Sequence, residues 1–206
     1  MTKYLFIIRN NLLFILLFTI LSCSKQKNEQ ILYYSISRDS VPHMYHAVVI
    51  SQKDKMRKIK KYEYYINDSS IVNKSVEYYQ IVENSLIKYW NYEEHKGDDF
   101  FSLVRDSCVE FKLPDVYNAD FLRTIHCYIG DTVIAINGEQ VKAHYFEKNT
   151  GFQYGIRTNI FYDNDFHLLK EEYVDGYIDS FVIKQVNYVP QRFLFLLKQS
   201  NIQTER

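Results

Sequence analysis

Metal binding and acid–base catalysis begin with imidazoles, carboxylates and thiols held close together. The chain offers few such places. His43-x-x-His46 is the close histidine pair. On a strand, positions three apart face opposite sides, and zinc takes three or four ligands. The pair therefore reads as one loop imidazole beside Pro42 and one strand imidazole. Glu93-Glu94-His95 with Asp98-Asp99 has the charge to hold a cation but reads as a solvated acidic loop over Glu93–Asp99. Asp163-x-Asp165 with His167 has the opening of a calcium loop. It lacks the later Gly and the bidentate Glu at the needed spacing, and Asp and Asn are good turn formers. G-x-S-x-G, P-loop, H-E-x-x-H and C-x-x-C patterns do not occur. The expectation is a chain with no metal, no cofactor and no catalytic residue, and so not an enzyme.

Two clusters suit binding instead. Lys53, Lys55, Arg57, Lys58, Lys60 and Lys61 could meet anionic lipid headgroups or an acidic glycan. The preferred reading is a solvated hairpin, with lysines guarding a sheet edge. Tyr62-x-Tyr64-Tyr65, Tyr78-Tyr79 and Tyr89-Trp90-x-Tyr92 could stack on sugars or hold an apolar ligand. Cross-strand packing is the preferred reading, because tyrosine does it well.

The elements that must position these residues are strands. Met44–Ile50, Lys58–Ile66, Val76–Val82 and Leu86–Tyr92 are separated by polar turns, the pattern of an antiparallel meander. Phe100–Leu113 is a strand or strand pair ended by Pro114. Asn118–His126 reads as a short helix, with Asn118 as its N-cap. Thr132–Ile136, Asn137-Gly138 and Val141–Glu147 make a hairpin, since Asn-Gly supplies the positive φ a tight turn needs. In its second strand Val141, Ala143 and Tyr145 share one face, and Lys142, His144, Phe146 and Lys148 the other. Arg157–Tyr162 and Leu168–Val174 form another hairpin, followed by Tyr177–Val186. Gln191–Lys198 is a last strand or a docking helix. The fold expected is mainly β, a single curved antiparallel meander of eight to twelve strands. Accumulated twist would curl it into a half-barrel or a barrel.

The N-terminus is of another kind. Lys3 and Arg9 precede an apolar run, Leu12–Leu21, that is too short to span a bilayer, which takes roughly 20 apolar residues. A basic front, a short apolar middle and small residues at the cut define a secretory signal. Ile20-Leu21-Ser22-Cys23 resembles the lipobox of bacterial lipoproteins. The resemblance covers residues 1–23 only and implies diacylglycerol on the Cys23 sulfur, cleavage after Ser22 and acylation of the new amino terminus. Ser24, where some members carry Asp, implies the outer membrane, and Ser24–Gln30 lacks the acidic run of surface-exported members. The expected anatomy is a signal peptide at 1–22, a flexible tether at 23–30 and one domain at 31–206, anchored at the outer membrane and facing the periplasm.

Composition fits an exported domain. The chain has 206 residues with 25 basic and 25 acidic side chains, so nothing argues for a nucleic-acid partner. Its 19 tyrosines against one tryptophan suit strands. In an oxidising compartment Cys108 and Cys127 either cross-link or lie as two buried thiols on neighbouring strands. The leading functional expectation is a membrane-anchored, non-enzymatic binding or interaction module for an envelope protein or glycan. One alternative is a carrier or sensor of an apolar ligand, a lipid or acyl chain, in a curved sheet. That architecture would be similar, at fold level, to the lipoprotein-localisation carriers. The other alternative is an envelope hydrolase with dispersed catalytic residues.

Overall fold

The computed structural model describes residues 29–91, 96–104, 107–112, 123–150, 156–174 and 181–200. Twelve strands follow in chain order: β1 (Glu29–Arg38), β2 (Val41–Lys53), β3 (Met56–Tyr65), β4 (Ser70–Val82), β5 (Ser85–Asn91), β6 (Lys96–Ser102), β7 (Cys108–Lys112), β8 (Arg123–Ile136), β9 (Glu139–Thr150), β10 (Ile156–Tyr162), β11 (Leu168–Tyr173) and β12 (Phe181–Gln185). One helix, α1 (Gln191–Gln199), follows them.

All twelve strands belong to one antiparallel sheet, ordered β6-β5-β4-β3-β2-β1-β12-β11-β10-β9-β8-β7. The chain thus folds as two six-stranded meanders. They join where β1 pairs with β12, Ile36 opposite Ile183. At the far side β6 and β7, the two ends of the order, lie against each other without a ladder, so the sheet is a nearly closed barrel.

Alternation decides what faces inward. In β2, His46, Val48 and Ile50 line the lumen, while Ala47 and Val49 face out and are just as buried. The cover on the outside is α1. Phe193 and Leu197, both fully buried, pack with Val189 on Ala47, Val49 and Tyr64. Phe193 stacks on Tyr64 with ring centroids 5.1 Å apart. Fully burying a side chain of this size is worth about 1.5–3 kcal/mol, enough to hold a nine-residue helix that would be marginal alone. Of the two readings for Gln191–Lys198, the docking helix is the one found.

The turns follow their residues. Asn137 (φ 52°) and Gly138 (φ 86°) join β8 to β9 as a two-residue hairpin loop. A bulge between Tyr128 and Gly130 bends β8, and Gly130 takes φ 147° there. Three expectations are corrected. Residues 96–99, read as acidic loop, open strand β6, because Gly97 and Asp98 pair with Tyr89 and Lys88 of β5. The helix expected at 118–126 ends in strand β8, since Arg123 to His126 pair with Lys112 to Val109; its first part lies outside the described residues. Glu29 and Gln30, read as the end of the tether, pair with Ser51 and Ile50 and so belong to β1.

Candidate functional site

The lumen holds a cavity of about 270 Å³. Its apolar lining includes Val48, Ile50, Ile59, Ile160, Leu168 and Ile183, drawn from β2, β3, β10, β11 and β12. Rings of Phe101, Phe146, Tyr162 and Tyr128 pack between β6 and β8–β10, with centroids of neighbouring pairs 4.6–5.9 Å apart. They fill the lumen on the side where the sheet does not close.

Charged side chains enter the same space. Four cations, Arg57, Lys61, Lys88 and Lys148, face two carboxylates, Glu77 and Glu171. Lys88 Nζ meets Glu77 Oε1 at 2.9 Å and lies over the rings of Tyr79 and Phe100. Lys148 Nζ meets Glu171 Oε1 at 2.6 Å. Tyr79 donates to Glu77 at 2.7 Å. Burial alone would raise the Glu77 carboxyl. The charge and hydrogen bond of Lys88, the Tyr79 hydroxyl and the charge of Lys61 together hold it below the usual carboxylate range. Burial pushes the Tyr34, Tyr79 and Tyr162 hydroxyls well up, so all three stay protonated.

Arg57 and His126, both buried and lining the cavity, each carry a polar atom with no hydrogen-bond partner among the described residues. Arg57, 2% exposed, donates Nη1 to the Phe166 carbonyl and Nη2 to Gln52 Oε1, while its Nε has none. His126, also 2% exposed, stands on β8 at the open seam. Its Nδ1 is 2.7 Å from the Phe100 carbonyl of β6. A carbonyl only accepts, so Nδ1 carries the proton and Nε2 presents a lone pair. Nε2 has no partner among the described residues. Burial lowers this imidazole to about 4, helped by the charges of Lys148 and Lys88 and opposed by the Phe100 hydrogen bond. It is neutral at physiological pH.

The residues singled out in the sequence fall elsewhere. Ser22 and Cys23 lie outside the described residues. Cys108 stands opposite Cys127 in the β7–β8 ladder with sulfurs 2.09 Å apart, a disulfide beside His126. His43 and His46 part company: His43 packs edge-on against Phe181, while His46 lines the cavity 3.5 Å from Glu63. Asp163, Asp165 and His167 do converge. However, Asp163 Oδ1 accepts from the backbone N–H of both Asp165 and His167, and Oδ2 from His167 Nδ1 at 2.9 Å. Both carboxylate oxygens are thus spent closing the β10–β11 turn. Those bonds hold the carboxyl below its usual range against the opposing effect of burial.

Comparison with protein-family models, with curated proteins and with solved structures finds no match for this chain.

The basic run at 53–61 is where sequence reasoning went furthest astray. Arg57 and Lys61 are not on a solvated face; they flank inward-facing Ile59 and line the lumen with it. The missed signal was the period of two: in Arg57-Lys58-Ile59-Lys60-Lys61, whatever shares a face with Ile59 shares its burial. Lys58 points the other way and lies over the Tyr78 ring at 5.5 Å. Glu77, Lys88 and Glu171 had no signal, because a carboxylate and a lysine in strands far apart in sequence reveal their pairing only in the folded sheet.

Proposed function

We propose that this chain is a membrane-anchored periplasmic lipoprotein that binds a small ligand inside its barrel, as a carrier or sensor rather than an enzyme. The observation that carries the reading is the lumen cavity of about 270 Å³, in which aliphatic side chains share one space with charged groups. Small-molecule sites combine an apolar body with a few convergent polar groups. A cavity this size suits a short-chain ligand and is too small for a diacyl lipid. A binding role fits the state of the charged groups: Glu77 and Glu171 are already engaged by lysines, and Glu77 sits below the usual range, which makes it a poor general base. The anchor rests on the lipobox-like Ile20–Cys23 and leaves the barrel facing the periplasm.

The test uses the full chain in lipid nanodiscs with labelled methyl groups. Hexan-1-ol, a short probe, is expected to shift lumen methyls such as Val48, Ile50 and Ile160 and to leave outer Val49 unmoved. Equal shifts on both faces, or none, would contradict the proposal.

A further inference from the structure

Resting on the reading of the lumen as a ligand site, we infer that its ligand is a short-chain anion whose polar end also carries a hydrogen-bond donor, a hydroxy-carboxylate or a group of like chemistry, with the negative oxygen on Lys61 and the donor on Nε2 of His126.

The charge pattern selects the anion. Of the four lining cations, Lys88 and Lys148 are spent on Glu77 and Glu171, and Arg57 donates to Phe166 and Gln52. Lys61 makes neither a hydrogen bond nor an ion pair among the described residues, though its charge reaches Glu77. Arg57 also feels the charges of Asp163 and Asp165, so one positive charge, that of Lys61, stands beyond those the neighbouring carboxylates meet. An anion taken from water into an apolar space is tolerated only where a cation meets it. A cationic ligand would be repelled by Lys61, and a neutral one would offer it no charge to meet.

His126 selects the donor. The Phe100 carbonyl fixes its proton on Nδ1, so Nε2 can only accept. A plain carboxylate has no hydrogen to give it. A hydroxyl beside the carboxylate does, and satisfies an atom that is otherwise buried at a cost. Lys61 and His126 line the same cavity, and Lys88, paired with Glu77, lines it with them.

Hexan-1-ol, hexanoate and 2-hydroxyhexanoate, titrated into the full chain in nanodiscs and followed at the lumen methyls with empty discs as blank, separate the possibilities. Hexanoate should bind about tenfold more tightly than hexanol, the worth of one charge-assisted contact. The hydroxy acid should gain about fivefold more from its hydrogen bond. Lys61→Met should bring hexanoate down to the level of hexanol, and Lys61→Arg, which keeps the charge, should restore it. If hexanol matches the acids, or Lys61→Met leaves them unchanged in a folded protein, the anion assignment falls while the lumen site stands. Equal binding of the two acids removes the role of His126. Lumen methyls that answer to none of the three compounds overturn the site itself.

Discussion

His126 stands where the two ends of the sheet meet, and its protonation state is tied to the fold. Its folded pKa of about 4 lies below the ordinary histidine value, so on acidification the unfolded chain takes up the proton first. Stability from this residue is then full above about pH 6.5, falls as pH drops toward about 4, and is level below that. Between about pH 7.5 and pH 5 the loss should be about 2 kcal/mol. Burial sets it, helped by the charges of Lys148 and Lys88 and opposed by the Phe100 hydrogen bond. Glu77 and Asp163, held below their usual range, withdraw their own stabilisation only at still lower pH. Denaturant titrations at the two pH values should show that slope in the wild type and lose about 2 kcal/mol of it in His126→Gln; identical slopes would contradict the assignment. The neighbouring Cys108–Cys127 bridge should contribute about 3 kcal/mol. Reductant should lower wild-type stability by that much and leave the Cys108→Ser/Cys127→Ser double variant untouched. At this scale the sequence was legible wherever one strand's alternation was enough. Phe146 and Lys148 were placed on one face and do share the lumen. Asp163, Asp165 and His167 were read as a turn and do close one. His126 was not found, because its partner Phe100 lies on another strand across a seam no local pattern marks.

Among the elements, the hairpins were the most legible. Asn137-Gly138 and Asp163-Asn164-Asp165 name their own turns, and the flanking β-rich runs name the strands. Strand β6 was hidden behind its charge: Gly97 and Asp98 pair with β5 although nothing in their composition favours a strand. The N-terminal part of β8 was hidden by a run, Asn118–His126, whose apolar spacing suits either period. Helix α1 was ambiguous for a related reason, because Phe193, Leu194, Phe195, Leu196 and Leu197 form an unbroken apolar run. Packing resolves it. Phe193 and Leu197, four apart, are buried against β2 and β3, while Phe195 is exposed. Phe193→Ala should cost about 3–5 kcal/mol, the usual penalty for removing a buried ring. Phe195→Ala, on the exposed side of the same helix, should change stability by less than about 0.5 kcal/mol. Thermal or denaturant unfolding of the two variants checks this, and equal losses would mean that α1 does not dock as described.

At the scale of the molecule, two six-stranded meanders curl until β6 meets β7, leaving a lumen half filled by rings and half lined by aliphatic and charged groups. That the sheet would curl followed from its length and twist. That the space inside would be mixed rather than apolar did not follow, because it depends on which strands face one another across the barrel. The proposed anchor is tested separately. Wild type should incorporate labelled palmitate and fractionate with membranes, and Cys23→Ala should do neither; membrane-bound, mature-sized Cys23→Ala protein would contradict the anchor. For the lumen, the most direct measurement is the methyl spectrum of the full chain titrated with 2-hydroxyhexanoate. We predict saturable shifts at Val48, Ile50, Ile59 and Ile160 with Val49 unmoved. Shifts confined to outward-facing methyls, or none at all, would contradict the ligand assignment, and the same silence toward hexanoate and hexan-1-ol would show that the cavity is not a binding site.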